Sequence, residues 1–376
     1  MRVVALFCVV CLTLAGDCNE PADPTTGPQI LWFHKDVAGA AARPYADSEL
    51  AVFTTEFEMR VVALDAKTGA LRWERRIPTT PGQPFNGMPS ANIVAAGDLI
   101  IVPAWDVFAL DRHTGEIRWE LEATDDYPGW GDVFVSENRV YATGRYLYAI
   151  DAPSGTLLWR LDVGVQPLTE QPWRPVAIDG IVYLSTKPAT DSVNLAHAVA
   201  VDGAKGTVLW RFPITGPGVG SSGSLGPPAI RDSLLVIACA NRNVYAIDRR
   251  TGQFRWSYRG ADNPYMAGAV ILGNTVVTGV DAAEGLDLAT GRRLWQWGPI
   301  GTVIVPITPG DSTALISSAV IYAFDSQGRV RWRHGGERWG QPVYTTAATH
   351  YRGTVFAGSV APDSPGPGFY AIRIHE

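Results

Sequence analysis

The stretch Val62-Ala63-Leu64-Asp65-Ala66-Lys67-Thr68-Gly69-Ala70-Leu71-Arg72-Trp73 decides the fold, because it returns. Phe108 to Trp119 and Tyr245 to Trp256 repeat it in full, with Ala, Asp, Thr, Gly and Trp at the same offsets. Tyr148 to Trp159 carries Ser154 for Thr, and Val199 to Trp210 keeps Ala200, Asp202, Gly206 and Trp210. A sixth copy has Glu284-Gly285 in place of aromatic-Ala but retains Asp287, Thr290, Gly291 and Trp295. The seventh, Tyr322 to Trp332, is one residue shorter in its turn. The repeat aspartates are Asp65, Asp111, Asp151, Asp202, Asp248, Asp287 and Asp325, stepping by 46, 40, 51, 46, 39 and 38 residues. A half-copy, Tyr370-Ala371-Ile372-Arg373, stands near the end of the chain. Its missing half stands near the beginning, as Ile30-Leu31-Trp32.

The first half of the repeat alternates like a strand, Asp-x-x-Thr-Gly is turn chemistry, and the second half is a strand ending in Trp. Two further short apolar runs precede each hairpin, for example Ser90 to Ala95 and Leu99 to Pro103, divided by Ala96-Gly97-Asp98. One period is therefore four short antiparallel strands, the content of one propeller blade. The expectation is an all-β, eight-bladed β-propeller of four-stranded antiparallel blades. Inner strands are expected to start near residues 45, 88, 131, 174, 227, 267, 304 and 341. Pairing the N-terminal strand around Trp32 with the C-terminal strand Phe369 to Ile374 closes the ring and removes the open edge. No segment has helical spacing long enough to supply the helices of an α/β barrel.

Composition agrees. With 39 Gly and 27 Pro beside 46% hydrophobic residues in 376, the chain is too turn-rich for long helices and too apolar for disorder. Its net charge of −6 argues against a nucleic-acid partner, which would select a basic surface.

Residues 1–16 read as a signal peptide: Arg2, an apolar run too short to span a bilayer, and Thr13-Leu14-Ala15 as a small-x-small cleavage site. Residues 17–28 read as a polar linker and 29–376 as the propeller. Leu14-Ala15-Gly16 followed by Cys18 is similar to a bacterial lipoprotein signal. Asp17 stands where that pattern needs a small residue, so Cys18 is a lipidation candidate outside the strict pattern. Loss of Cys8 and Cys11 with the signal leaves Cys18 and Cys239, which excludes a disulfide framework. Cys239 lies in an apolar run and reads as core.

The repeat Ala-x-Asp-x-x-Thr-Gly-x-x-x-Trp resembles the tryptophan-docking motif of the quinoprotein (PQQ-like) β-propeller family. The resemblance spans residues 30 to 374. It implies that Trp32, Trp73, Trp119, Trp159, Trp210, Trp256, Trp295 and Trp332 pack between neighbouring blades, against the turn glycine region of the next copy. Two branches of that family are relevant. One is the quinone-dependent alcohol and sugar dehydrogenases. The other is non-catalytic scaffolds, among which the outer-membrane protein assembly lipoprotein, the B subunit of the β-barrel assembly machinery, is closest in size.

The dehydrogenase branch implies PQQ, a Ca²⁺ held by carboxylate and amide oxygens, an Asp base and commonly an adjacent Cys-Cys pair. This chain has no adjacent cysteines, and nearly every well-placed Asp is a repeat Asp with a turn to form. No catalytic residue, metal ligand or cofactor is therefore expected. The expectation is an exported, periplasmic or outer-membrane-associated monomer that binds protein partners of the cell envelope.

Five aromatics stand just ahead of inner strands: Phe85, Trp130, Trp173, Tyr265 and Trp339, with Arg174 and Arg338 beside them. Loops from an outer strand to the next inner strand ring the channel mouth on one face. These seven residues either form a partly apolar, partly cationic binding rim there or pack the top of the core between blades.

Overall fold

The computed structural model describes residues 27–36, 43–55, 60–78, 92–104, 106–122, 132–144, 146–163, 175–186, 196–215, 226–239, 242–260, 268–279, 282–298, 307–318, 320–335, 344, 346–359 and 367–374. Among them the chain forms eight four-stranded antiparallel sheets and no helix. These sheets are the blades of a propeller. Blades 1 to 7 run in chain order over residues 45–76, 94–121, 133–161, 176–214, 229–259, 269–297 and 308–335.

The eighth blade is assembled from both parts of the chain. Strand Gln29–Lys35 is its outermost member and pairs antiparallel with Gly368–Arg373, Phe33 opposite Tyr370. Thr354–Ser359 and Thr349–Tyr351 complete it. Around the ring, the two middle strands of each blade are almost entirely buried, whereas the outermost alternates between exposed and covered residues. That alternation is what a strand with one packed face and one solvated face requires.

Inner strands begin at Tyr45, Val94, Val133, Val176, Ala229, Ala269, Thr308 and Thr349. The first matches the sequence expectation; the others start two to eight residues later than expected, the largest difference being at Thr349. The inner strands are only two to four residues long. Their apolar runs begin before ladder pairing does: Ala347 and Ala348 are buried ahead of Thr349 without belonging to a strand.

Each outer hairpin contains a one-residue register shift directly after the motif alanine, as between Ala63 and Leu64 or Ala109 and Leu110, or after Gly285 in the sixth blade. The shift follows from the motif. Ala63 lies opposite Trp73, Ala109 opposite Trp119 and Ala246 opposite Trp256, so a small residue faces each indole. The sixth blade goes further. A Cβ built on Gly285 would lie 2.1 Å from the Trp295 ring, so the glycine that breaks the repeat there is demanded by its own tryptophan.

Candidate functional site

The best-defined geometry lies at the blade boundaries. Trp73 Nε1 donates to the carbonyl of Arg112 at 2.7 Å, and Trp119 Nε1 to that of Ala152 at 2.8 Å. The same bond joins Trp32 to Ala66, Trp159 to Gly203, Trp210 to Arg249, Trp256 to Leu288 and Trp295 to Ser326. In each case the acceptor is the residue after the next repeat Asp. Each of these indoles also lies against the left-handed glycine of that turn, as Trp73 does at Gly115 (φ +70°), where a Cβ would meet the ring at 2.5 Å. Only a residue without a side chain fits a positive φ beneath a ring.

Trp332 differs. It is 5% exposed, and its Nε1 has no hydrogen-bond partner among the described residues. The neighbouring blade is the split one: its outermost strand is Gln29–Lys35, and Arg373 stands after Tyr370-Ala371-Ile372 where the other copies place the turn Asp.

The repeat aspartates are spent on turns. Asp65 Oδ1 accepts from the backbone of Lys67 and Thr68 and from the Thr68 hydroxyl, while Oδ2 pairs with Arg72. That guanidinium, with the turn hydrogen bonds, holds the Asp65 carboxyl down at about 2. Asp248 is held at about 2 in the same way, chiefly by Arg255 at 2.7 Å. Asp111 and Asp287 are lowered by turn donors, the first chiefly by the His113 amide and the second chiefly by the Thr290 hydroxyl.

Other buried carboxylates are also engaged. Asp132 accepts from both the backbone and side-chain nitrogens of Asn92, at 2.8 and 3.0 Å, and from Val133 N. Glu284 accepts from the Tyr258 hydroxyl at 2.9 Å and pairs with Arg293.

The eight inner strands read Tyr-Ala, Val-Ala-Ala, Val-Phe-Val-Ser, Val-Ala-Ile, Ala-Ile-Arg, Ala-Val-Ile-Leu, Thr-Pro and Thr-His-Tyr, with no carboxylate or amide side chain among them. Among the described residues no three His, Cys, Asp or Glu side chains converge as a metal ion would need. The described residues therefore do not assemble the oxygen donors that a calcium-bound quinone requires.

The expected rim residues Phe85, Trp130, Trp173, Arg174, Tyr265, Arg338 and Trp339 all lie outside the described residues, as does Cys18. Cys239 is fully buried and free, and burial pushes its thiol well above the usual range.

The sequence singled out nothing at the outer boundary of blades 4 and 5, where the structure has an open groove of about 590 Å³. Phe212, Tyr245, Phe254, Asn243 and Arg259 line it. The signal that would have drawn attention to it is modest: Phe254 and Arg259 flank Trp256 on a strand whose other arginine, Arg255, already has its partner in Asp248.

Known proteins show the same architecture. A quinohemoprotein alcohol dehydrogenase from Comamonas testosteroni superposes with a TM-score of 0.72 at 15% identity, covering 94% of this chain and 78% of that one. The structure of BamB from Moraxella catarrhalis superposes with a TM-score of 0.52 at 17% identity, covering 90% of this chain and 85% of its own. At these identities the likeness concerns the fold alone. In sequence, the outer membrane protein assembly factor BamB of Moranella endobia is 25% identical over 222 residues, which are 54% of this chain and 55% of that relative. The chain thus spans little more than half the length of that relative. The family model described as outer membrane protein assembly factor BamB matches residues 22–129 and 103–332, most of the chain. On that match, and on the eight tryptophan-closed blades beneath it, this chain belongs to the outer membrane protein assembly factor BamB family.

Proposed function

We propose that this chain is an exported, non-catalytic scaffold that binds protein partners of the cell envelope during outer-membrane protein assembly. The observation that carries the reading is the family match over residues 22–332. Two physical features support it. The propeller is a closed ring in which Asp65, Asp132 and Glu284 are engaged in turns and blade joints, a structural use of their carboxylates. Three of its inner strands, Val94–Ala96, Val176–Ile178 and Ala269–Leu272, consist only of small and apolar residues.

In this reading residues 1–16 direct export and 17–28 tether the ring, with Cys18 as the point of lipid attachment. The protein works as a periplasmic, outer-membrane-associated monomer. Phe85, Trp130, Trp173, Arg174, Tyr265, Arg338 and Trp339 form the partner-binding rim.

The test has two arms. Calcium-loaded mature protein is titrated with PQQ, following absorbance and alcohol-dependent dye reduction; stoichiometric binding with turnover would overturn the scaffold reading. Envelope extracts are then passed over immobilised wild type and over a Trp173→Ala/Arg338→Ala variant. Partners retained by the wild type and lost by the variant are the expected result, and identical retention would remove the rim from the reading.

A further inference from the structure

The groove between blades 4 and 5 has a composition that stability does not account for. Phe212, on the outermost strand of blade 4 (Thr207–Ile214), and Phe254, on the outermost strand of blade 5 (Phe254–Arg259), lie face to face with centroids 6.3 Å apart and planes 10° from parallel. Phe212 is further braced by the edge of Tyr245 at 5.9 Å, whereas Phe254 is 54% exposed. An aromatic held over a groove with half its surface in water is a contact surface seeking a partner.

One arginine completes the site. Arg259 lines the groove, stands opposite Asn243 in the ladder, and its side chain makes no hydrogen bond or ion pair among the described residues. None of the residues lining the groove is a carboxylate, so the charge there is that of Arg259. Several other outer-strand arginines are paired, Arg72 with Asp65, Arg255 with Asp248 and Arg293 with Glu284.

We infer that this groove binds an extended acidic segment of a protein partner, an aromatic side chain lying against Phe212 and Phe254 and a carboxylate bonding Arg259. The extended form follows from the strand itself. Phe254–Arg259 is the outermost of its sheet, so one edge of its backbone lacks a ladder partner and accepts a chain running alongside it. The carboxylate follows from the Arg259 guanidinium, whose planar fork matches it.

The inference deepens the scaffold reading by naming a partner's chemistry. It is tested on the purified chain, so its failure leaves the quinone titration and the envelope retention to judge that reading separately. The probes are fluorescein-labelled short peptides alternating Asp with Phe, Lys with Phe, and Asp with Ala, followed by anisotropy at low and high salt. The expected result is salt-sensitive binding of the Asp–Phe peptide alone, weakened roughly tenfold in each of Phe254→Ala and Arg259→Ala. Phe254 and Arg259 are exposed, so circular dichroism and melting should match wild type; Arg259→Lys, which keeps the charge but not the fork, separates charge from geometry. Absence of wild-type binding, equal binding of the Lys–Phe peptide, or variants that bind as wild type would overturn it. A dimer in sedimentation that Phe254→Ala abolishes would assign the groove to a second copy and overturn it as well.

Discussion

Trp119 Nε1 and the Ala152 carbonyl meet at 2.8 Å across the boundary between blades 2 and 3, both buried. The corresponding nitrogen of Trp332 is buried without an acceptor among the described residues, at the boundary between blade 7 and the split blade. The two sites share ring and burial and differ in one hydrogen bond.

Replacing each with phenylalanine separates the bond from the packing. Trp119→Phe loses the bond and strands the Ala152 carbonyl, whereas Trp332→Phe removes an unsatisfied donor. Both lose indole volume, so Trp119→Phe should be the more destabilising by about 1–2 kcal/mol. Urea denaturation of both variants beside wild type measures the difference; equal losses would show that the bond contributes nothing net.

The turn glycines give a second contrast. Gly97 and Gly115 share a left-handed backbone (φ +61° and +70°), yet a Cβ on Gly97 meets nothing within 4 Å and one on Gly115 meets the Trp73 ring at 2.5 Å. Gly97→Ala should cost only the backbone term, about 1–2 kcal/mol. Gly115→Ala adds an overlap that displaces Trp73 and should lower the melting temperature far more. Similar melting of the two variants would refute the role given to the ring.

These elements were legible in the sequence because they recur. Ala, Asp, Gly and Trp are each fixed by one local contact repeated around the ring, so the fold, its closure by Trp32 and the blade number follow from spacing. What does not recur was not legible. The groove at Phe212 and Phe254 depends on two side chains from different blades, and that Arg259 lines it without a carboxylate among the lining residues is visible only in three dimensions. The inner strands at Val94, Thr308 and Thr349 start well after their apolar runs because pairing, not apolar content, begins a strand, as at Ala347 and Thr349. The rim proposed from Trp130, Trp173 and Trp339 lies outside the described residues.

Gly285 turns a departure from the repeat into a prediction. Restoring the motif residue, Gly285→Ala, puts a methyl group 2.1 Å from the Trp295 ring on the opposite strand. A substitution toward the consensus is commonly stabilising; here it should destabilise, by about 1–3 kcal/mol, the usual cost of overpacking. Denaturant titration decides, and a more stable variant would mean that the sixth blade relaxes to the geometry of the others.

Asp248 links stability to pH. Held at about 2 by Arg255 and its turn, it binds a proton more weakly folded than unfolded, where an Asp titrates near about 3.9. Its contribution is therefore complete above about pH 4 and lost as pH falls toward 2. Asp248→Asn removes that linkage. The stability gap between wild type and variant should be constant near neutrality and narrow below about pH 4; a gap that stays constant to pH ~2 would show that the Arg255 pair has no folded-state preference.

Closure can be tested by taking away the strand that performs it. Strand Gln29–Lys35 supplies the outermost member of the eighth blade, seats Trp32 on Gly69 and lays Phe33 on Tyr370 with centroids 4.5 Å apart. A chain beginning after Lys35 exposes the ladder edge of Gly368–Arg373 and the buried Phe369 and Tyr370 beside it. It should melt well below the full ring and self-associate through that edge. A synthetic peptide of residues 27–36 should restore melting and monomeric sedimentation in a saturable manner, since it supplies both the ladder and the indole. Rescue should fail with Trp32→Ala in the peptide, which keeps the backbone edge but not the contact at Gly69. Unchanged melting of the shortened chain would mean that the ring is held by its other seven blades, with the eighth merely resting against them.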